Sequence, residues 1–216
     1  IRSLGAKTVF FGRQQDERVR KANEIQEAEG QAFIQPFNDL EIITGQATCG
    51  MELLEDDPDV ESIFVPIGGG GLISGIACAV RLLQKPRRHV KVIGVQSEGS
   101  PSMYESFVNH KLSSIGESKT IADGLAVRKP GEITFSIVSR FVDDIMLVSD
   151  EEIISATSRL LRKEHVLSEP SGAAAFAGLL KMRRQSGKGE KEKSAAIVSG
   201  GNISSEALAQ VAIATT

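Results

Sequence analysis

Apolar residues along this chain recur with two spacings, and the two alternate along its length. The runs KTVFFG (7–12), QAFIQPF (31–37), ESIFVPI (61–67), VKVIGVQ (90–96), DIMLVS (144–149) and SAAIVS (194–199) are short and rich in β-branched or aromatic residues, which predicts strands. Between them the apolar positions fall at i, i+3 and i+4. Val19, Ala22 and Ile25 follow Asp16 in this way until Gly30, and Leu40, Ile43, Ala47, Met51 and Leu54 do so over 40–55. Further helices are predicted over 72–84, 102–109, 131–141, 150–165 and 171–185, with a last one from about 204. Pro130 suits the first turn of one, and Ser149 with Glu152 forms an S-x-x-E capping box at the start of another. Strands alternating with helices of this length need crossover connections. The expected fold class is therefore α/β, a doubly wound, mostly parallel sheet covered on both faces.

Composition narrows the partners. The chain has 216 residues, 41% of them hydrophobic and 25% charged, with a formal net charge of -3, so it offers nucleic acid or an anionic membrane no bulk attraction. No apolar run approaches the roughly 20 residues of a membrane span, and IRSLGAK at the start has no signal-peptide core. A soluble, cytoplasmic protein is expected. Cys49 and Cys78 are far apart with no CxxC spacing, and read as reduced, buried thiols. His89, His110 and His165 lack partners at metal-ligand spacing and read as surface residues, so no metal site is expected. The stretch SGKGEKEK (186–193) reads as a solvated connection.

The strongest chemical signal is VPIGGGGLISG (65–75), four consecutive glycines between a strand and a helix. In a doubly wound sheet ligands bind beyond the carboxyl ends of the strands. Glycines let successive N–H groups converge on an anion there, and a helix N-terminus adds partial positive charge. A dinucleotide fingerprint fails, since only counting from Gly70 reaches a glycine in the third position, at Gly75, and its second position is then Leu72. A P-loop counted from Gly70 places Ile76 where the lysine belongs. One or two glycines would serve a tight turn, so a run of four points to a phosphate.

Four other segments accompany this loop: ITGQATCGMELL (43–54), IADGLAVRKPGE (121–132), SEPSGAAAFAG (168–178) and IVSGGNISS (197–205). In this order the five resemble the threonine/serine dehydratase family of fold-type II pyridoxal-phosphate enzymes, with a tryptophan synthase β-like fold. The resemblance implies pyridoxal 5'-phosphate as cofactor, its phosphate held by the backbone of Gly68, Gly69, Gly70, Gly71 and Leu72. It implies that Ser199 faces the pyridine nitrogen and that Gly124 and Glu169 lie beside the ring. A hydroxyl does not hold that nitrogen protonated, which weakens the ring as an electron sink and suits β-elimination. The implied reaction converts L-threonine to 2-oxobutanoate, or L-serine to pyruvate, with release of ammonia. The family also commonly forms homo-oligomers, dimers or tetramers.

Two departures qualify the resemblance. The S-F-K-x-R-G-A segment carrying the family's Schiff-base lysine has no counterpart, and Lys85, Lys119 and Lys129 lie in polar segments. The expectation is a unit truncated at the N-terminus, with residues 1–42 a remnant of the smaller domain, 43–216 most of the larger cofactor-binding domain, and the catalytic lysine upstream of Ile1. Related serine racemases hold a divalent cation through an E-x-x-x-A-x-D pattern, where this chain has Gln96, Ser100 and Ser102. Loss of both carboxylates favours a dehydratase without a cation there. A serine racemase, a 3-hydroxyaspartate ammonia-lyase and a non-catalytic module binding a phosphorylated ligand are the alternatives.

Overall fold

The computed structural model describes residues 2–12, 15–84, 88–186 and 192–214. Residues 1–35 and 36–216 form two compact units. Among its described residues the first contains one α-helix, α1 (Gln15–Glu29), which ends where Gly30 takes φ +67° and its N–H reaches the Gln26 carbonyl. The predicted strands over 7–12 and 31–37 are not formed. Their β-rich composition finds no ladder partner among the described residues, and a strand is held by its neighbour rather than by propensity. Most of the loop at 186–193, together with Lys85, lies outside the described residues.

The second unit is the α/β domain the pattern predicts. Its elements are α2 (Leu40–Asp56), β1 (Ser62–Pro66), α3 (Gly71–Leu83), β2 (Lys91–Ser97), α4 (Ser102–Val108), α5 (Glu132–Phe141), β3 (Asp144–Val148), α6 (Asp150–Lys163), α7 (Pro170–Ser186), β4 (Ser194–Ala196) and α8 (Ser205–Ile213). The four strands are parallel, in the order β3-β2-β1-β4, with Ser62 in register with Lys91 on one side and Ser194 on the other. The chain thus builds outward from β1 to β3 and returns to lay β4 on the other edge of β1. That reversal puts a topological switch point between β1 and β4, where a crevice opens at the carboxyl ends of a doubly wound sheet.

Both faces of the sheet are covered. Ile63 and Val65 pack with Ile73, Ile76 and Val80 of α3 and Val138 of α5, whereas Phe64, Ile93 and Val95 meet Ile153 and Ala156 of α6 and Ala174, Ala175 and Ala177 of α7. Every residue of β1 is buried, as a strand enclosed on both faces requires. The capping box at α6 is present, with the Ser149 hydroxyl accepting from Glu152 N–H and the Glu152 carboxylate accepting from Ser149 N–H. Asp39 caps α2 by accepting from Glu41 and Ile42 N–H.

Two further expectations need correction. β4 stops at Ala196 rather than 199, because after Ile197 N–H reaches the Phe64 carbonyl the chain leaves the ladder for a glycine loop. Cys49 and Cys78 are free but only partly buried, and burial raises the pKa of both thiols, with Glu52 adding to the rise at Cys49. His89 is at the surface, as expected, and its Nε2 lies 2.5 Å from Asp143 Oδ1. No helix among the described residues is long and apolar enough to cross a membrane.

Candidate functional site

The glycine loop leaves the carboxyl end of β1 and becomes the first turn of α3. Ile67 N–H, just before it, is bonded to the Val95 carbonyl at 2.8 Å, and Ser74 N–H, just after it, to the Gly70 carbonyl at 3.0 Å. Between them, no N–H from Gly68 to Ile73 has a protein acceptor among the described residues. Gly69, Gly70, Gly71 and Ile73 are buried. Buried residues whose donors lack acceptors are rare in folded proteins, because a donor left unpaired away from water costs about as much as a lost hydrogen bond. The row at a helix N-terminus fits an anion such as a phosphate monoester.

The surroundings explain each glycine in turn. A Cβ on Gly68 would stand 2.8 Å from the Gly124 carbonyl oxygen, and one on Gly69 would overlap the Phe37 ring. A Cβ on Gly71 would lie 3.0 Å from Phe37 Cβ. Gly70 takes φ +96°, the left-handed conformation that glycine adopts without steric cost, and its Cα faces Met103 and Thr134. Phe37, Asn38 and Thr134 were not singled out by sequence pattern. Asn38 Oδ1 accepts from Ile133 N–H at 3.0 Å, and the Thr134 hydroxyl donates to the Gly69 carbonyl at 2.7 Å.

From Gly68 the site continues through Gly124 to the loop after β4. Gly124 N–H donates to the Ser171 hydroxyl at 2.9 Å, and to Asp123 Oδ1 at 2.8 Å. Glu169 N–H donates to the Gly200 carbonyl, and the Ser168 hydroxyl reaches the same carbonyl at 3.1 Å. A Cβ on Gly200 would meet the Glu169 carboxylate. The structure thus links Gly68, Gly124, Glu169 and the Ser199–Asn202 loop around the switch point. Ser199 itself is exposed. A cavity of about 230 Å³ opens beside Glu169, lined also by Asp123, Pro170, Asn202, Ser204 and Glu206. Ser171 is a further residue the sequence did not single out, although it lies inside the EPSGA segment.

The model of the family described as "Pyridoxal-phosphate dependent enzyme" matches residues 1–200. The chain belongs to this family. Among its relatives, the L-threonine ammonia-lyase of Thermotoga maritima is 44% identical over 202 residues, covering 94% of this chain and 49% of that protein. The catabolic L-threonine dehydratase TdcB of Escherichia coli K12 is 40% identical over 210 residues, or 95% of this chain and 61% of that one. The chain therefore spans about half to three fifths of these relatives. Among solved structures, the processed form of threonine deaminase isoform 2 from Solanum lycopersicum superposes with a TM-score of 0.89 at 34% identity, covering 97% of this chain and 57% of that one. Maize serine racemase superposes with a TM-score of 0.87 at 32% identity, covering 97% and 64%.

In a pyridoxal-phosphate dependent enzyme the unsatisfied donors of the glycine loop match a phosphate, so the residues present fit the family's cofactor. The positions corresponding to the racemase cation pattern are engaged otherwise. Gln96 Oε1 accepts from Met103 and Tyr104 N–H, at 3.1 and 2.9 Å, and the Ser102 hydroxyl donates to the Val127 carbonyl at 2.6 Å. The Ser100 hydroxyl accepts from Ser118 Oγ at 2.8 Å. Of the lysines, Lys119 and Lys129 are exposed, and Lys181 is paired with Glu152 at 2.9 Å.

Proposed function

We propose that this chain is the cofactor-binding part of a threonine/serine ammonia-lyase, which converts L-threonine to 2-oxobutanoate, or L-serine to pyruvate, with release of ammonia. The observation that carries the reading is the row of acceptor-free N–H groups from Gly68 to Ile73 at the switch point, in a chain 40–44% identical to named threonine ammonia-lyases and dehydratases. The backbone of Gly68, Gly69, Gly70, Gly71 and Leu72 would hold the cofactor phosphate. Gly124 and Glu169 would flank the ring, and the Ser199 hydroxyl would face its nitrogen. When bound, pyridoxal phosphate supplies an electron sink for the carbon from which a proton is removed.

The chain's own residues set how that sink behaves. A neutral hydroxyl at Ser199 places no negative charge beside the ring nitrogen, so that nitrogen is not driven to hold a proton. Glu169, fixed through its backbone N–H to Gly200, keeps a carboxylate at the edge of the crevice. The lysine that anchors the cofactor is proposed to lie outside these residues, in the segment upstream of Ile1, with residues 1–42 belonging to the smaller domain and 43–216 to the larger. The working protein is proposed to be a cytoplasmic homo-oligomer, which light scattering of the full-length protein would test. A part in isoleucine biosynthesis belongs to the same reading.

A serine racemase is the second reading, favoured by the superposition on the maize enzyme. Against it stand Gln96 Oε1 and the Ser100 and Ser102 hydroxyls, bonded to protein groups and carrying no negative charge for a divalent cation. The test is to supply the full-length protein with L-threonine, L-serine and 3-hydroxyaspartate in turn, measuring ammonia, keto acid and D-amino acid. Ammonia with 2-oxobutanoate or pyruvate is expected. D-serine as main product would overturn the dehydratase reading, and no turnover of any of the three would favour a binding module.

A further inference from the structure

The loop's donors face a ligand only if its peptide planes are turned correctly, and the structure contains a side chain that sets one of them. Thr134 is fully buried in the first turn of α5. Its hydroxyl stands 2.7 Å from the Gly69 carbonyl and 3.1 Å from that of Gly131, and its one proton favours the shorter contact. The Thr134 Cβ abuts Gly70, where an added Cβ would lie 2.9 Å away, so the side chain has little room to rotate. The helix carrying it is itself fixed, since Asn38 caps the neighbouring Ile133 N–H. The 69–70 peptide bond is trans, which places the Gly70 N–H opposite the Gly69 carbonyl. Holding that carbonyl against α5 therefore aims the buried, acceptor-free Gly70 N–H away from α5.

We propose that Thr134 is a positioning residue for the cofactor phosphate. Its hydroxyl locks the 69–70 peptide so that the Gly70 N–H is presented to the anion before the anion arrives. Without it the Gly69 carbonyl is buried without a partner, and the peptide is free to turn that carbonyl toward the phosphate, replacing a donor with a repelling oxygen. The inference rests on the reading of Gly68–Leu72 as the phosphate cradle.

The experiment uses full-length protein stripped of cofactor and measures the dissociation constants of pyridoxal 5'-phosphate and of pyridoxal. Their ratio reports the phosphate contribution alone. In the unaltered protein the phosphate form should bind far more tightly, and equal binding would remove the cradle reading itself. Thr134→Val keeps the shape and removes the hydroxyl, and should lower the ratio by about 3- to 10-fold, the worth of one hydrogen bond. Thr134→Ser should keep the unaltered ratio. If the valine variant does not accumulate as folded protein, Thr134→Ala serves the same comparison without added bulk. A preserved ratio in a variant without the hydroxyl, including the case where both ligands weaken equally, would overturn the role of Thr134 and leave the cradle standing.

Discussion

The two glycine loops at the switch point differ in how they are supported. In the loop after β1 each glycine is hemmed in by a named neighbour, and Gly69, Gly70 and Gly71 are buried. In the loop after β4, Ser199, Gly201 and Asn202 are exposed, and Gly200 is held mainly through Ser168 and Glu169. The first is a closely packed surface set by α3, α5 and Phe37, which would suit the proposed phosphate, a group that takes no part in bond making. The second presents side chains on an open loop. A site with one fixed end and one accessible end can hold a cofactor firmly while leaving its ring approachable.

The contrast predicts unequal costs. Gly70→Asp should be the most damaging change, since it forces a left-handed residue against Thr134 and sets a carboxylate among donors meant for an anion. We expect a stability loss of roughly 2–4 kcal/mol in denaturant unfolding and cofactor affinity lower by more than about 100-fold in reconstitution. Retention at the unaltered level would break the idea that this loop is the fixed end. Gly69→Ala should cost about 1–3 kcal/mol by overlap with Phe37. Combined with Phe37→Ala, the loss should be smaller than the sum of the two single changes, as expected of side chains in contact.

The open loop should tolerate more. The atoms nearest to a Cβ in Gly200→Ala belong to the outer part of the Glu169 side chain, which can turn aside, so less than about 1 kcal/mol is expected. Ser199→Asp, at an exposed position, should change the unfolding free energy by less than about 0.5 kcal/mol while shifting products of the full-length enzyme from elimination toward transamination or racemisation. An unaltered product ratio would remove Ser199 from the ring nitrogen.

Asp143, at the opposite end of the sheet, sharpens the contrast as a control. Burial raises its pKa, but the Val92 N–H, His89 and Arg81 outweigh burial and hold it below its ordinary value. Its stabilisation is therefore present above the ordinary carboxylate pKa and is lost as pH falls through the depressed folded value. Asp143→Asn should flatten the acid limb of stability against pH and leave cofactor affinity unchanged at neutral pH.

The hydrophobic periodicity was enough to place β1, β2, β3 and the helices, because each must bury one face or stripe and that need is written locally. It also marked the capping box of Ser149 and Glu152 and the two glycine loops. It overcalled 7–12 and 31–37, where β-rich residues occur without a neighbouring strand, and overran the end of β4. The glycine run was read as the mark of an anion in preference to a tight turn, and the structure adds that Gly124, Phe37, Met103 and Thr134 leave no room for side chains there. No local pattern could have shown that the Thr134 hydroxyl would reach a carbonyl 65 residues away, or that Ser171 would hold Gly124. The sequence by itself determined which segments become strands, helices and tight loops, since those follow from short-range geometry and burial. Only the tertiary structure decided which of them meet at the carboxyl edge of β1, because that depends on strand order and on how α5 and α7 pack across the sheet.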